Sequence, residues 1–206
     1  KNETGYKNLI YLSSISYLNK YSDIGITIKD LENHSEGLFC FLGGEYNPLM
    51  ILHNENKNTD EFINTLKKLF NENLLFELQR INDSEIDAFE SFIIKKSNEF
   101  KIPLVGTNNI KFGEQEEFAA HDALLCVAQK TTINNGSRKT SNNQIAFKND
   151  QEMSELFSDI PEIIENNFNV AISCSYYPKE VTPKLPKFKN NLNLSEDQLL
   201  IRSAKN

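Results

Sequence analysis

IPLVGTNNIKF (Ile102–Phe112), followed eight residues on by AHDALLC (Ala120–Cys126), decides the fold. An apolar run ends at Thr107-Asn108-Asn109, and a helix-like pattern then begins. In α/β folds ligands are held at the carboxyl ends of strands, so residues 107–111 occupy a place where chemistry is expected. The side chains there are two amides and a lysine. Lys111 is a cation and amides bind weakly, so neither suits a divalent metal at neutral pH.

Upstream, the same grammar repeats. LFCFL (38–42), ended by Gly43-Gly44, and LLFEL (74–78) read as buried strands, apolar along their length as expected when both faces are covered. Asn58 with Glu61 signals a helix start, and the helix buries Phe62, Ile63, Leu66, Leu69 and Phe70. Ser84 with Asp87 opens a longer helix whose inward face is Ile86, Phe89, Ile93 and Phe100. A further helix runs from about Glu114 to Gln129. Strand alternating with helix predicts parallel α/β construction.

The flanks are less regular. Residues 4–19 place Tyr6, Leu9, Ile10, Tyr17 and Leu18 near one helical face. Thr27 starts a short helix through Leu31, and Glu36-Gly37 turns the chain. Residues 130–147 are polar and read as a surface loop or short hairpin. Asn149 with Glu152 begins one helix and Asp159 with Glu162 another, with Pro161 tolerated in its first turn. Pro178, Pro183 and Pro186 hold an extended linker, after which Ser195 with Gln198 caps a final helix. Asparagine makes up 27 of 206 residues, spread over helices and loops alike, which reads as a compositional bias.

Composition narrows the function. The net charge of −7 argues against a nucleic-acid-binding surface. The charge is uneven: residues 179–206 hold Lys179, Lys184, Lys187, Lys189, Arg202 and Lys205 against Glu180, Glu196 and Asp197, giving +3 there and −10 over residues 1–178. Such a sign change marks a new structural unit. No apolar run is long enough to span a bilayer, and the polar start KNETGYKN is no signal peptide. Cys40, Cys126 and Cys174 are scattered in apolar stretches, which predicts small core residues in a reducing cytoplasm. Lys1 in place of Met, and an end at Lys205-Asn206 inside a helical pattern, suggest a piece of a longer protein.

Candidate chemistry is sparse. His34, His53 and His121 lack the spacing of a zinc site. His121 and Asp122 are adjacent, so on a helix they diverge by about 100° and form no dyad; a structural His121 near the strand ends is expected. Gly43-Gly44 reads as a tight turn rather than a phosphate cradle. Glu77, Arg80 and Lys111 are expected to converge at the strand ends, with Glu77 in a structural ion pair.

Taken in order, NETGYKNLIYLSS, SEGLFCFLGGE, LLFELQR, IPLVGTNNIKF, AHDALLC, DQEMSELFSDIPEIIENN and PKLPKF…SEDQLLIRSAKN resemble the amino-terminal region of the bacterial replicative DNA polymerase III alpha subunits. The resemblance implies a partial distorted β/α barrel of the PHP (polymerase and histidinol phosphatase) type over residues 1–178. Residues 179–206 would then be the linker and helix leading toward the polymerase core. The opening His-x-His motif would precede Lys1, and the polymerase aspartates, which hold Mg²⁺ in the whole enzyme, would come after Asn206. Metal-binding members carry Asp and His at the strand end, where this chain has Asn109 and Lys111, and a cysteine where it has Gly44. Cys40 lies four residues too early to replace that cysteine. An ammonium at position 111 would repel a divalent ion by roughly 1 kcal/mol or more at close range.

These replacements make the region, on that resemblance, a degenerate, non-metal-binding PHP scaffold with no catalytic or cofactor-binding residue of its own. It would dock the proofreading exonuclease subunit, while the rest of the parent contacts the sliding clamp, the clamp loader and primer-template DNA. Two alternatives are a metal-dependent PHP-type phosphoesterase and a module for protein interaction only.

Overall fold

The three apolar runs form one parallel sheet in the order β1 (Cys40–Gly43), β2 (Leu74–Gln79), β3 (Leu104–Thr107). The computed structural model describes residues 1–18, 25–44, 47–183 and 194–205. Its register aligns Leu42 with Phe76 and Phe76 with Leu104 across the sheet. Among the described residues the sheet is open, with β1 and β3 at its edges.

Helices arise from local signals. The element order is α1 (Glu3–Leu18), α2 (Ile28–His34), α3 (Pro48–Asn54), α4 (Thr59–Phe70), α5 (Ser84–Phe100), α6 (Phe118–Ala128), α7 (Asp150–Leu156), α8 (Glu162–Ser173) and α9 (Glu196–Lys205). Asn58 caps α4 through Glu61 N–H, and Asn149 and Glu152 form a capping box on α7. Thr27 and Asp30 form another box on α2, which runs to His34 rather than Leu31. Ile63, Leu66 and Phe70 of α4, Phe89 and Ile93 of α5, and Phe157 and Ile163 close over Leu42, Leu74, Phe76, Leu78 and Leu104 to make the main core.

β3 has an unusual outer edge. Asn167 of α8 receives the Gly106 N–H (3.1 Å) and donates to the Gly106 carbonyl (2.7 Å), while Asn166 donates to the Leu104 carbonyl (2.8 Å). The two amides thus satisfy backbone groups that an edge strand leaves open. Gly106 permits the approach, because a Cβ there would sit 2.6 Å from both Ile163 and Phe157.

Several expectations need correction. Tyr6, Leu9, Ile10, Tyr17 and Leu18 of α1 are exposed; the helix buries Gly5 and Leu12 instead. Gly5 is at the contact because a Cβ would lie 2.0 Å from the Gly37 carbonyl oxygen. Backbone approach, not an apolar stripe, sets the orientation of α1. The short α3, capped by the buried Asn47, was not foreseen. Asp83, not Ser84, caps α5. Asp159 caps nothing, since its carboxylate is engaged by Arg80. The helix expected from Glu114 starts as a 3-10 turn over Gln115–Glu117 and becomes α-helical at Phe118. Of the two readings of residues 130–147 the loop holds and the hairpin does not; they end in a 3-10 turn (Asn143–Ile145) and a parallel bridge between Phe112 and Ala146. Of the cysteines Cys126 is buried, Cys40 half-buried and Cys174 exposed.

The chain divides into two compact units, Lys1–Tyr176 and Tyr177–Asn206. In the second, residues 177–183 have no regular structure, and Ser195 and Gln198 exchange bonds at the start of α9. Pro186, Lys184, Lys187 and Lys189 of the expected linker lie outside the described residues. No helix among the described residues is long and apolar enough to cross a membrane.

Arg80 binds the layers together. Its guanidinium donates to Glu90 of α5, to Asp159 and to the Leu156 carbonyl, and it lies 5.0 Å from the centre of the Phe157 ring. Arg80→Ala is expected to cost about 2–4 kcal/mol, because it strands Glu90 and a half-buried carbonyl together. Gly106→Ala should cost about 1–3 kcal/mol through overpacking. Urea titration of each variant is the check, with the midpoint falling at unchanged slope.

Candidate functional site

The strand ends fork. Thr107 and Asn108 line one cavity of about 380 Å³, together with Phe41, Ile110, Met153 and Val170. Asn109 and Lys111, two and four residues past Thr107, line another of about 630 Å³, together with His121, Lys139, Ser141 and Asn142. The residue-by-residue turn of the chain past β3 separates the two sets.

At the mouth of β2, Glu77 has a polar, half-buried setting. Its Oε1 accepts from the Thr107 hydroxyl at 2.5 Å and from Gln79 Nε2 at 3.4 Å, while Gln79 Nε2 also donates to Thr107 Oγ1 at 3.0 Å. Arg80 and Lys111 do not meet Glu77 as expected: Arg80 is held by Glu90 and Asp159, and Lys111 faces the larger cleft. The reason is strand alternation, which sends Arg80 away from the side that Glu77 and Gln79 share. Those bonds hold the Asp159 carboxyl below its ordinary range and push the Arg80 guanidinium further up.

Gly44 completes this polar cluster. Its φ of +72° is a left-handed conformation, and a Cβ there would lie 2.9 Å from Gln79 Nε2 and 3.1 Å from Glu77 Oε2. A cysteine at position 44 would therefore displace Gln79 and strain the backbone. Gly44 lines a small crevice with Glu77 and Gln79, whereas Asn109 and Lys111 line the larger cleft. Cys40 supplies no substitute, because burial pushes its thiol up to about 11 and keeps it protonated at neutral pH. Gly44, Asn109 and Lys111 themselves offer no carboxylate, imidazole or thiolate. Among the described residues no three His, Cys, Asp or Glu side chains gather as a metal-holding group.

The larger cleft is built by three segments. Lys111 N–H donates to the Ile145 carbonyl (3.1 Å), and Asn142 donates to the Ile81 carbonyl (2.7 Å), which pins residues 141–146 against the β2 and β3 ends. His121 on α6 packs against Phe112, with ring centres 5.2 Å apart. Its neighbour Asp122 points elsewhere and takes a two-pronged bond from Arg138 at 2.5 and 2.7 Å. His121 and Asp122 thus form no dyad. Gln129 clamps the far rim, accepting from Lys139 N–H and donating to the Lys139 carbonyl, both at 2.9 Å. Sequence reasoning missed Lys139, Ser141 and Asn142. They sit in a polar loop, and only Asn142, which also caps the 3-10 turn after it, left a local signal.

Comparisons with known proteins agree on one relationship. The sequence profile described as the PHP domain matches residues 1–81. The DNA polymerase III subunit alpha of Rickettsia bellii is 36% identical over 210 aligned residues that include all of this chain. Those of Borreliella burgdorferi and Campylobacter jejuni are 33% and 34% identical, over all and 98% of the chain. The chain spans about 18% of the length of the Rickettsia bellii protein and 19% and 18% of the other two.

The Asp122–Arg138 pair sets a pH dependence. Hydrogen bonds from Arg138 hold the Asp122 carboxyl below its ordinary value. A depressed folded-state value stabilises at pH above the ordinary carboxylate range and is lost as pH falls through the depressed one. The protection of backbone amides in residues 130–139 against hydrogen exchange, taken relative to the intrinsic rate at each pH, should therefore fall at acid pH. Asp122→Asn should show that lowered protection already at pH 7, with little further change in protection on acidification.

Proposed function

Since this chain is homologous along its whole length to a segment of bacterial DNA polymerase III alpha subunits, we propose that it is the PHP-type scaffold region of such a replicase. The whole protein would add deoxynucleotides to a primer 3′ end, with two Mg²⁺ held by carboxylates outside this chain. Residues 1–178 would be the later part of a PHP β/α barrel. Residues 179–206 would be the linker and first helix toward the polymerase core. The change from −10 to +3 between the two supports that division.

The observation that carries the scaffold reading is Lys111. At a strand end where a metal-binding relative would present an imidazole, this chain presents an ammonium, next to the amide of Asn109. Gly44 adds support, because the space a thiolate would need is taken by Gln79 and Glu77. With no ion to activate water, the region would hydrolyse nothing, and its role is to hold partners. The proofreading exonuclease subunit is the proposed occupant of its surface. The sliding clamp, clamp loader and primer-template DNA would meet other parts of the parent.

Metal analysis of the full-length protein, purified without chelators, tests this. The expected result is far less than one zinc or manganese per chain and no phosphatase turnover. Stoichiometric zinc or manganese together with turnover would favour the phosphoesterase instead.

A further inference from the structure

We propose that Asn135 and Gly136 form a site of self-deamidation: the Gly136 backbone nitrogen attacks the Asn135 side chain, and Ser137 supplies the hydrogen bonds that assist.

Of the 27 asparagines in the chain, only Asn135 precedes a glycine. The pairing matters chemically, because a residue with no Cβ leaves its backbone nitrogen unscreened and its dihedrals free. Asn135, Gly136 and Ser137 are all exposed, so water reaches them. Gly136 has open space where a Cβ would lie and no left-handed φ, so the shape of the turn does not require glycine there. Its N–H donates no hydrogen bond among the described residues, which leaves that proton open to solvent base.

Hydrogen bonds hold the Asn135 side chain ready. Oδ1 accepts from the Ser137 N–H at 3.1 Å and from the Ser137 hydroxyl at 2.8 Å. Such an Asx turn bends the side-chain amide back over the following peptide, the one that carries the Gly136 nitrogen. Both Ser137 donors point at the oxygen on which negative charge grows when Cγ is attacked, as in an oxyanion hole. On the other side, Nδ2 donates to Thr131 Oγ1 at 2.9 Å, and the Thr131 N–H is tied to the Cys126 carbonyl of α6 at 3.0 Å. Arg138 braces the turn further. Its N–H meets the Asn135 carbonyl at 3.3 Å, its Nε meets the Ile133 carbonyl at 3.1 Å, and Asp122 clamps its guanidinium. A geometry set in advance spares the entropy of finding the cyclic arrangement.

The chemistry balances with water alone. The Gly136 nitrogen gives its proton to water or hydroxide and bonds to Asn135 Cγ. The Cγ–Nδ2 bond then breaks, and Nδ2 takes a proton from water and leaves as ammonia. The five-membered imide opens when one water adds across either of its carbonyl–nitrogen bonds, giving aspartate or isoaspartate. Either product places a new carboxylate three residues before Arg138, as a rival to Asp122. Isoaspartate also adds a methylene to the main chain and lengthens the braced turn.

Full-length protein, incubated at neutral and mildly alkaline pH and mapped by peptide mass spectrometry, is the test. Amide-to-acid conversion is expected at Asn135 ahead of every other asparagine, faster as pH rises, with part of the product accepting a methyl group from an isoaspartyl methyltransferase. Gly136→Ala should slow conversion about tenfold or more, because a Cβ crowds the attacking nitrogen. Ser137→Ala should slow it about threefold or more through the lost donor. Both positions are exposed, so the two variants keep their melting temperature. Bonds that merely restrained the side chain would give the opposite sign, with Ser137→Ala reacting faster. A Ser137→Ala rate equal to or above that of the parent, or an Asn135 that converts no faster than the other asparagines, would overturn the proposal.

Discussion

One guanidinium holds the layers in register. Arg80 sits just past β2, and its donors reach helix α5 through Glu90 and the α7–α8 corner through Asp159 and Leu156 O. A lysine could not do this, because the task needs a planar fork that meets two carboxylates and a carbonyl at once. The Arg80 and Glu90 side chains are each only 20% exposed, so the bonds form where water competes weakly. Without this anchor the α7–α8 corner would lose its polar tie to the sheet, and Phe157 would lose the cation above its ring. The order of the strand ends, and with it the cleft, depends on that tie.

Much of the fold was legible because it is written locally. Asn58, Asn149 and Ser195 announce helices within three residues of themselves, and the structure uses each as a cap or capping box. The three strands were legible from uninterrupted apolar runs. The misses share a different cause, namely contacts distant in sequence. Asp159 has the pattern of a cap, yet Arg80, 79 positions away, claims its carboxylate. The apolar residues of α1 have helical spacing, yet a glycine-to-glycine approach between Gly5 and Gly37 decides which side faces inward. No window of sequence contains both partners. The site was half legible in the same way: Asn109 and Lys111 are placed by the end of β3, while Ser141 and Asn142 arrive from a loop about thirty residues later.

Asparagine abundance, read from sequence as a compositional bias, has structural uses. Asn108 donates to the Ala146 carbonyl, Asn142 to that of Ile81, and Asn166 and Asn167 serve β3. A side-chain amide carries a donor and an acceptor in the arrangement of a peptide group. It can therefore stand in for backbone wherever a loop or helix must meet a strand. Bias in composition and specific use are compatible, since an abundant residue is available wherever a peptide-like partner is needed.

That substitution gives the sheet a direction. By occupying both polar groups of Gly106, Asn167 acts as a full stop on the β3 side: an incoming strand would find its bonding positions already taken. The Cys40–Gly43 side has no such terminator among the described strands. Regular pairing of a further strand at Gly106 is thereby shut out, and the β3 flank is closed by side chains rather than by another strand.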